Sequence, residues 1–228
     1  MGKGKLIVIE GACDGIGKST QYRMLRDSLI SDGYTVTGHH FPSYGAAQAA
    51  PVEAYLRGDY GSVGSLSPYF INSLYAVDRA VTWQMHLGKR YDAGDVILLD
   101  RYTTSSLIYQ SSQIADTAKR DEFIRYAEEL EYEKLGIGRP DVVVFLWAPY
   151  DAAAALRAER ESNDGIECDL HERDEEYMRA VYGNACELSE TLGWRRVCCT
   201  RSDGTMRTRE EIHADVLAAV RFGEAKTK

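Results

Sequence analysis

A glycine-rich segment near the N-terminus ends in Gly17-Lys18-Ser19-Thr20, residue types that bind phosphate when they connect a strand to a helix. Glycines let successive backbone N–H groups point at phosphate oxygens, and the helix N-terminus adds a partial positive charge. The lysine reaches the β- and γ-phosphates, and the hydroxyl that follows it binds Mg²⁺. A strand pattern precedes this segment and a helix pattern follows it, so we expect a nucleotide-binding loop with Lys18 and Ser19 in these two roles.

The spacing of this loop is irregular. The usual motif has a glycine six residues before the lysine, whereas this chain has Ala12 there and Gly11 one residue further away. Either alanine replaces the glycine, or the loop carries one extra residue. A glycine turn that only starts a helix is the structural alternative to phosphate binding.

The apolar run Val96–Asp100 ends in an acid, Asp100. A nearly continuous apolar run is typical of a strand buried on both faces, and an acid at its carboxyl end lies where Mg²⁺ or its water ligands are organised. Arg101 and Tyr102 come directly after it. We therefore expect Asp100 to act with Ser19 at a metal site.

Taken together, these motifs resemble those of thymidylate kinases, the P-loop family that phosphorylates dTMP with ATP. The resemblance extends over essentially the whole chain. It rests on an acid four residues before the loop lysine, a Phe-Pro pair after the second strand, an aromatic residue and an arginine one helical turn apart, and an Asp-Arg-Tyr triplet: Asp14, Phe41-Pro42, Tyr75 with Arg79, and Asp100-Arg101-Tyr102.

The resemblance implies an ATP site, a dTMP site and Mg²⁺ as cofactor. The expected ATP-binding residues are Gly11, Asp14, Gly15, Gly17, Lys18, Ser19, Thr20 and Arg157. The expected dTMP-binding residues are Asp14, Phe41, Pro42, Tyr44, Tyr75, Arg79, Arg101, Ser105, Ser106, Tyr109 and Gln110. By the same resemblance, Asp14 accepts a hydrogen bond from the 3′-hydroxyl of dTMP, although an aspartate that only caps the loop is the alternative.

The helix that carries Tyr75 and Arg79 suits a pyrimidine without reference to any family. Residues four apart share one face of a helix, so that the ring can stack on a base while the guanidinium donates to a carbonyl oxygen beside it. Thymine offers its O4 atom as that acceptor. The alternative is a core tyrosine and an arginine that forms a surface ion pair with Asp78 or another acid.

The expected catalytic residues are Lys18, Asp100, Arg101 and Arg160. Arg101 is the group that we expect to draw the two substrates' phosphates together, because a planar fork binds two oxygens and neutralises charge in the transition state. Its structural alternative is an ion pair with Asp100.

Arg157 and Arg160 flank the polar segment Glu161–Asp169, which has the composition of a mobile lid, and we expect the lid to cover about residues 157–173. By resemblance to members with lid arginines, Arg157 and Arg160 close over the ATP phosphates; a solvated helix end is the alternative. Asp169 and Glu172 resemble a second metal site near the acceptor phosphate, and an acidic helix start is the alternative.

Five strands and seven helices are expected to position these residues. The alternation of strand and helix predicts an α/β fold, and the resemblance implies the three-layer P-loop form with a five-stranded parallel sheet and a short lid. The predicted strands are Leu6–Glu10, Thr35–His40, Val96–Asp100, Val142–Ala148 and Arg196–Thr200. The predicted helices are Lys18–Ser31, Pro68–Lys89, Ser105–Gln113, Asp121–Leu135, Tyr150–Arg160, Asp174–Leu192 and Thr208–Val220.

Composition sets limits on the class of protein. The chain has 228 residues, 44% of them hydrophobic, which suits one domain over residues 1–228. A formal charge of −8 argues against nucleic acid as a partner, and no run is long enough to span a membrane. Five unpatterned cysteines favour a reducing cytoplasm. A homodimer is implied by resemblance only.

Three other functions remain open from the sequence. The chain could be a kinase of another nucleotide or of a deoxynucleoside, although Asp-Arg-Tyr argues against the latter. It could be a P-loop switch protein, although it has neither an Asn-Lys-x-Asp motif nor Asp-x-x-Gly after the Val96 strand. The irregular loop also leaves open an inactive binding protein.

Overall fold

The computed structural model describes residues 3–13, 15–62, 64–155 and 175–221. These residues form a five-stranded sheet in which all paired strands are parallel, in the spatial order β2-β3-β1-β4-β5. The strands are β1 (Lys5–Gly11), β2 (Val36–His40), β3 (Val96–Asp100), β4 (Val142–Trp147) and β5 (Arg195–Cys198).

Helices connect these strands in chain order. They are α1 (Lys18–Ser31), α2 (Ala50–Arg57), α3 (Pro68–Thr82), α4 (Gly88–Asp92), α5 (Thr103–Tyr109), α6 (Thr117–Glu128), α7 (described over residues 150–155), α8 (Glu175–Thr191) and α9 (Arg209–Val220). Short 3₁₀ segments cover Ala47–Ala49 and Ser111–Gln113, and π-helical segments cover Trp83–Leu87 and Glu129–Lys134.

The sheet is covered on both faces because β1 is apolar at successive positions. Ile7 and Ile9 pack in a cluster with α1 and α9, whereas Leu6 and Val8 pack on the opposite face with the π-helical segment after α3. All four side chains are fully buried. The three-layer α/β architecture expected from the sequence is therefore confirmed, and the parallel register brings the carboxyl ends of β1 and β3 together, with Ile9 opposite Asp100.

The predicted strands are all present: Val96–Asp100 has the predicted bounds, and the ends of the others differ by at most two residues. Helix α1 has the predicted bounds, and α9 starts one residue later than predicted because Thr208 is its N-cap in a capping box with Glu211. The predicted helix Tyr150–Arg160 is described only over residues 150–155.

Two predicted helices are less regular than the apolar periodicity indicated. The prediction Pro68–Lys89 covers α3, a π-helical segment and the first two residues of α4, and the prediction Asp121–Leu135 covers most of α6 and the π-helical segment Glu129–Lys134. One extra residue per turn changes which side chains face the core, and periodicity of 3.6 does not reveal this.

Helix α2 was not predicted. Its sequence contains Pro51, which suggests a break, but the proline lies in the first turn of the helix, where its missing N–H costs no hydrogen bond. None of the helices in the described ranges is long and apolar enough to cross a lipid bilayer.

Candidate active site

Glycines determine the backbone in the described part of the segment between β1 and α1. Gly15 and Gly17 have φ values of 82° and 97°, a left-handed conformation that favours glycine, and Gly17 is the N-cap of α1. Lys18 opens the helix, is 8% exposed, and its Nζ donates to the Cys13 carbonyl oxygen at 3.3 Å. Ser19 follows on the exposed side. The lysine is thus held over the loop rather than extended into solvent.

The structure also explains the irregular spacing between the first glycine of the loop and Lys18. A Cβ at Gly11 would lie 2.8 Å from Ile16 Cγ2 and 3.0 Å from the Lys18 side chain, so only glycine fits at this point of the loop. Ala12, in contrast, is buried without such a conflict, and its N–H donates to Leu146 O at 2.9 Å. Gly11 therefore corresponds to the first glycine of the motif, which favours the alternative of a loop with one extra residue.

Several predicted site residues lie outside the described residues. They are Asp14 in the loop, and Arg157, Arg160, Asp169 and Glu172 in the predicted lid over residues 157–173.

Asp100 lies at the carboxyl end of β3 and is 6% exposed. Its Oδ2 contacts His40 Nδ1 at 3.3 Å. Burial acts to raise the pKa of Asp100, but the hydrogen bond from His40 and the positive charges of Lys18 and Arg101 outweigh it, so the pKa is lowered and the carboxylate stays ionised. Asp100 Oδ1 is buried and has no hydrogen-bond partner among the described residues.

This arrangement fits Mg²⁺. The ion prefers oxygen ligands, and it is usually held by one or two protein oxygens together with water and substrate phosphates. The orphaned Asp100 Oδ1 and the Ser19 hydroxyl are ligands of that kind. The described residues contain no cluster of three or more acidic, histidine or cysteine side chains that would form a complete protein cage.

Arg101 follows Asp100 with a φ of 64°, the one positive φ at a non-glycine residue within the described ranges. Its Nη1 lies 3.8 Å from Glu10 Oε1, and its Cζ lies 5.5 Å from the centre of the Tyr109 ring. Its side chain is 17% exposed. The turn therefore directs the guanidinium away from the strand and along the wall of a pocket.

Glu10 was not predicted as a site residue. Its carboxylate is fully buried and accepts from the Gly11 N–H at 3.1 Å, Thr104 Oγ1 at 3.0 Å and Ser105 Oγ at 2.6 Å. It thereby ties the start of the phosphate loop to the segment after Asp-Arg-Tyr. The signal in the sequence was an acid at the end of an otherwise apolar strand.

A pocket opens beside Arg101 between the end of β3, α3 and α5. It encloses about 620 Å³ when the open solvent at its mouth is included. Every described residue of the predicted dTMP set lines it: Phe41, Pro42, Tyr44, Tyr75, Arg79, Arg101, Ser105, Ser106, Tyr109 and Gln110. Leu56, Tyr102 and Met178 also line it and were not predicted.

Arg79 is 2% exposed and forms an ion pair with the fully buried Glu131 at 2.6 Å. The alternative of an ion pair with Asp78 or another acid is right about the pair but wrong about its place: the partner is Glu131 and the pair is buried, whereas Asp78 accepts from the backbone N–H of Ser43 at 2.8 Å. Burial acts to lower the pKa of Arg79, but the charge and hydrogen bonds of Glu131 outweigh it and raise the pKa. Arg79 is therefore a permanently charged donor in the wall of the pocket.

Tyr75 lies one turn before Arg79 and is half-buried, with its ring centre 6.0 Å from Arg79 Cζ. Gln110 is 2% exposed and lines the same pocket, and its side-chain amide makes no hydrogen bond with another of the described residues. Aromatic surface, a fixed guanidinium and an available amide thus meet in one cavity. These are the groups that recognise a flat ring with polar atoms on its edge.

A phosphate loop at the end of β1, an acid at the end of the neighbouring β3 and a polar pocket beside them define a P-loop phosphotransferase with separate donor and acceptor sites. Which phosphotransferase it is follows from its relatives.

A sequence profile of the thymidylate kinase family matches residues 9–212. Thymidylate kinase of Mycobacterium tuberculosis (strain H37Rv) is 33% identical over 193 residues, which cover 83% of this chain and 87% of that protein. Thymidylate kinase of Pelotomaculum thermopropionicum is 31% identical over 218 residues, which cover 95% and 93%. A solved thymidylate kinase structure from Candida albicans has a TM-score of 0.69 at 20% identity and covers 95% of this chain and 90% of its own.

The chain belongs to the thymidylate kinase family. The known reaction of this family is the phosphorylation of dTMP to dTDP, and the chain is an enzyme of that kind. The family acts on nucleotides, with ATP as donor and typically with Mg²⁺.

Proposed function

We propose that the pocket beside Arg101 is the dTMP site and that its residues have separate roles. The observation that carries this proposal is the convergence of the predicted acceptor residues, which come from three separate segments of the chain, on one cavity next to the phosphate loop. Tyr75 stacks on the thymine ring, and Phe41, Pro42 and Tyr109 complete the apolar walls.

Polar groups at the same wall read the edge of the base. Arg79 donates to O4, a position where cytosine carries an amino group that is itself a donor. Gln110 accepts from the thymine N3–H through its amide oxygen, and its amide N–H remains available as a donor. Ser106 lies beside Arg79 and accepts from Arg79 Nη2 at 2.8 Å. Ser105 and Tyr44 lie nearer to the phosphate side of dTMP in this proposal.

Arg101 bridges the acceptor phosphate and the γ-phosphate of ATP, while Gly11, Gly15, Gly17, Lys18, Ser19 and Thr20 hold ATP. A nucleotide monophosphate has a second pKa near 6, so at pH 7 the acceptor is already largely ionised and needs no general base. Catalysis then consists of positioning and of neutralising charge, for which Lys18 and Arg101 are suited. Mg²⁺ held by Ser19 and Asp100 supplies further neutralisation of phosphate charge when it is bound.

The roles of the remaining predicted residues are proposed from the sequence resemblance. Asp14 binds the 3′-hydroxyl of dTMP, Arg157 and Arg160 close over ATP as part of a lid at residues 157–173, and Asp169 and Glu172 assist at a second metal. In this proposal residues 1–228 form one domain, which acts in the cytoplasm.

The acceptor assignment is tested by measuring ADP production from ATP and Mg²⁺ with dTMP, dUMP, dCMP, dGMP, AMP and thymidine in turn. We expect dTMP to be preferred, and Tyr75→Leu to raise the KM for dTMP with little change in kcat. An unchanged KM for dTMP in Tyr75→Leu would contradict the stacking role of Tyr75. Equal rates with dTMP and dCMP would contradict the recognition of thymine O4 by Arg79.

We also propose a homodimer that forms through α3. Phe70, Val77 and Val81 lie on one face of this helix and are 45%, 50% and 38% exposed. Val77→Glu would place a charge in the centre of that face, so we expect a monomer by light scattering where the parent chain is a dimer. Ile30→Glu is the matched control, because Ile30 is 52% exposed on α1. A monomeric parent chain would refute the proposal.

A further inference from the structure

Glu131 lies behind the acceptor pocket without lining it. Its side chain is fully buried, and three donors converge on its carboxylate. Arg79 Nε donates to Oε2 at 2.6 Å, Arg79 Nη2 donates to Oε1 at 2.7 Å, and Thr103 Oγ1 donates to Oε2 at 2.9 Å. The two bonds from Arg79 run side by side, in the bidentate geometry that fixes both the position and the plane of a guanidinium.

The other atoms of the guanidinium are also constrained. Besides Glu131, Nη2 donates to Ser106 Oγ at 2.8 Å, and Nη1 lies 3.4 Å from the Tyr102 carbonyl oxygen. These contacts use four of the five N–H groups of an arginine. The fifth belongs to Nη1, the nitrogen farthest from Glu131, in a side chain that lines the pocket.

The backbone conformation around Glu131 explains how its side chain comes to be buried behind the pocket. Glu131 lies in the π-helical segment Glu129–Lys134, which follows α6. Two neighbouring acids of that segment, Glu129 and Glu133, have side chains 62% and 64% exposed and pair with Lys134 and Arg139 on the surface. The segment therefore turns one of three closely spaced carboxylates inwards. Such segments frequently occur at functional sites.

We propose that Glu131 is a positioning residue for base selection: it holds Arg79 so that the Nη1 N–H meets O4 of thymine. This inference rests on the role proposed above for Arg79. A guanidinium fixed in this plane presents only donors, which reject the amino group of cytosine. A guanidinium that is free to rotate or withdraw tolerates either base, so the loss of Glu131 weakens the preference for dTMP.

Glu131→Gln tests the proposal because it keeps the size of the side chain and removes the charge and one acceptor atom. We expect the ratio of kcat/KM for dTMP to kcat/KM for dCMP to fall about tenfold, as the loss of a charge-assisted hydrogen bond would give. The fall comes mainly from a higher KM for dTMP, with kcat changed little. Glu133→Gln is the matched control and should leave the ratio unchanged.

Arg79→Lys separates this inference from the role on which it rests. If Arg79→Lys leaves the dTMP to dCMP ratio unchanged, the proposed role of Arg79 is wrong. If Arg79→Lys lowers the ratio and Glu131→Gln does not, Arg79 reads the base and the positioning role of Glu131 is wrong. A glutamate needed only for folding would lower kcat/KM for both acceptors equally, which also overturns the proposal.

Thr103→Val provides a second variant if Glu131→Gln does not fold. It removes one hydrogen bond to Glu131 with almost no change in volume, and Thr103 does not line the pocket. We expect a smaller fall in the same ratio, in the same direction. An unchanged ratio in Thr103→Val, in a chain of parental thermal stability, would contradict the proposal.

Discussion

Two arginines, Arg79 and Arg101, line the same pocket, and each lies beside a fully buried glutamate. Arg79 and Glu131 are joined by two hydrogen bonds of 2.6 and 2.7 Å, and Arg79 is 2% exposed. Arg101 and Glu10 are 3.8 Å apart at their nearest charged atoms, and Arg101 is 17% exposed. Glu10 instead accepts its short hydrogen bonds from Thr104 and Ser105.

This difference matches what each arginine has to bind in the proposed reaction. A base keeps its position and its neutral charge throughout the transfer, so a rigid donor recognises it best. A phosphate changes its bonding and its charge during the transfer, so the arginine that follows it has to exchange oxygen partners. The contact of Arg101 with Glu10 is longer than that of Arg79 with Glu131, and its side chain is more exposed, which suits this role.

The largest effect, on the free energy of unfolding, is expected from breaking the ion pair between Arg79 and Glu131. Glu131→Leu removes one partner of a buried ion pair and leaves the Arg79 charge without compensation, which costs about 3–5 kcal/mol of the free energy of unfolding. Urea denaturation measures this loss. The double variant Arg79→Met with Glu131→Leu should recover much of it, because neither charge is then buried alone. A double variant as unstable as the single one would contradict this explanation.

Arg101, which lies farther from its glutamate and is more exposed than Arg79, should matter less for stability and more for the rate. Arg101→Lys keeps the charge but loses the planar fork, so we expect kcat to fall about 100-fold, the magnitude seen when one transition-state donor is removed. Its KM for dTMP and its urea midpoint should change little. Steady-state kinetics with saturating ATP test this, and a kcat near that of the parent chain would rule out the proposed bridging role.

Glu10→Gln tests whether the looser contact still guides Arg101. We expect kcat to fall about tenfold, since the variant removes the charge that faces Arg101 and one of the two oxygens that accept from Gly11, Thr104 and Ser105. In the Arg101→Lys background the same change should add little, because residues that act through one another are not additive. Equal losses of kcat in both backgrounds would show that Glu10 acts independently of Arg101.

The smallest effect concerns another buried polar residue of α3, the helix that carries Arg79. Asn72 is fully buried, and neither atom of its amide has a hydrogen-bond partner among the described residues. Asn72→Leu should therefore raise the free energy of unfolding by about 1 kcal/mol. Asn184→Leu is the matched control and should lower it, because the Asn184 amide donates to Ile108 O at 2.7 Å and Ser111 Oγ at 2.8 Å.

Much of the fold was predictable because its signals are local. Nearly continuous apolar runs indicated buried parallel strands, and the bounds of α1 followed from the loop before it. The residues proposed to bind dTMP were expected from short motifs and from the family resemblance, and those in the described ranges line one pocket. Helix α2 and the two π-helical segments were missed because neither a proline in a first turn nor one extra residue per turn changes composition enough to be seen.

The sequence by itself determined which chemical groups this enzyme has: a glycine loop with a lysine, an acid at a strand end, and two arginines near aromatic side chains. Only the tertiary structure decided how those groups are held. Glu131 is 52 residues from Arg79 in the chain, and Glu10 is separated from Thr104 by 94 residues. A buried charge needs a partner, but which residue becomes that partner depends on how the chain folds in space.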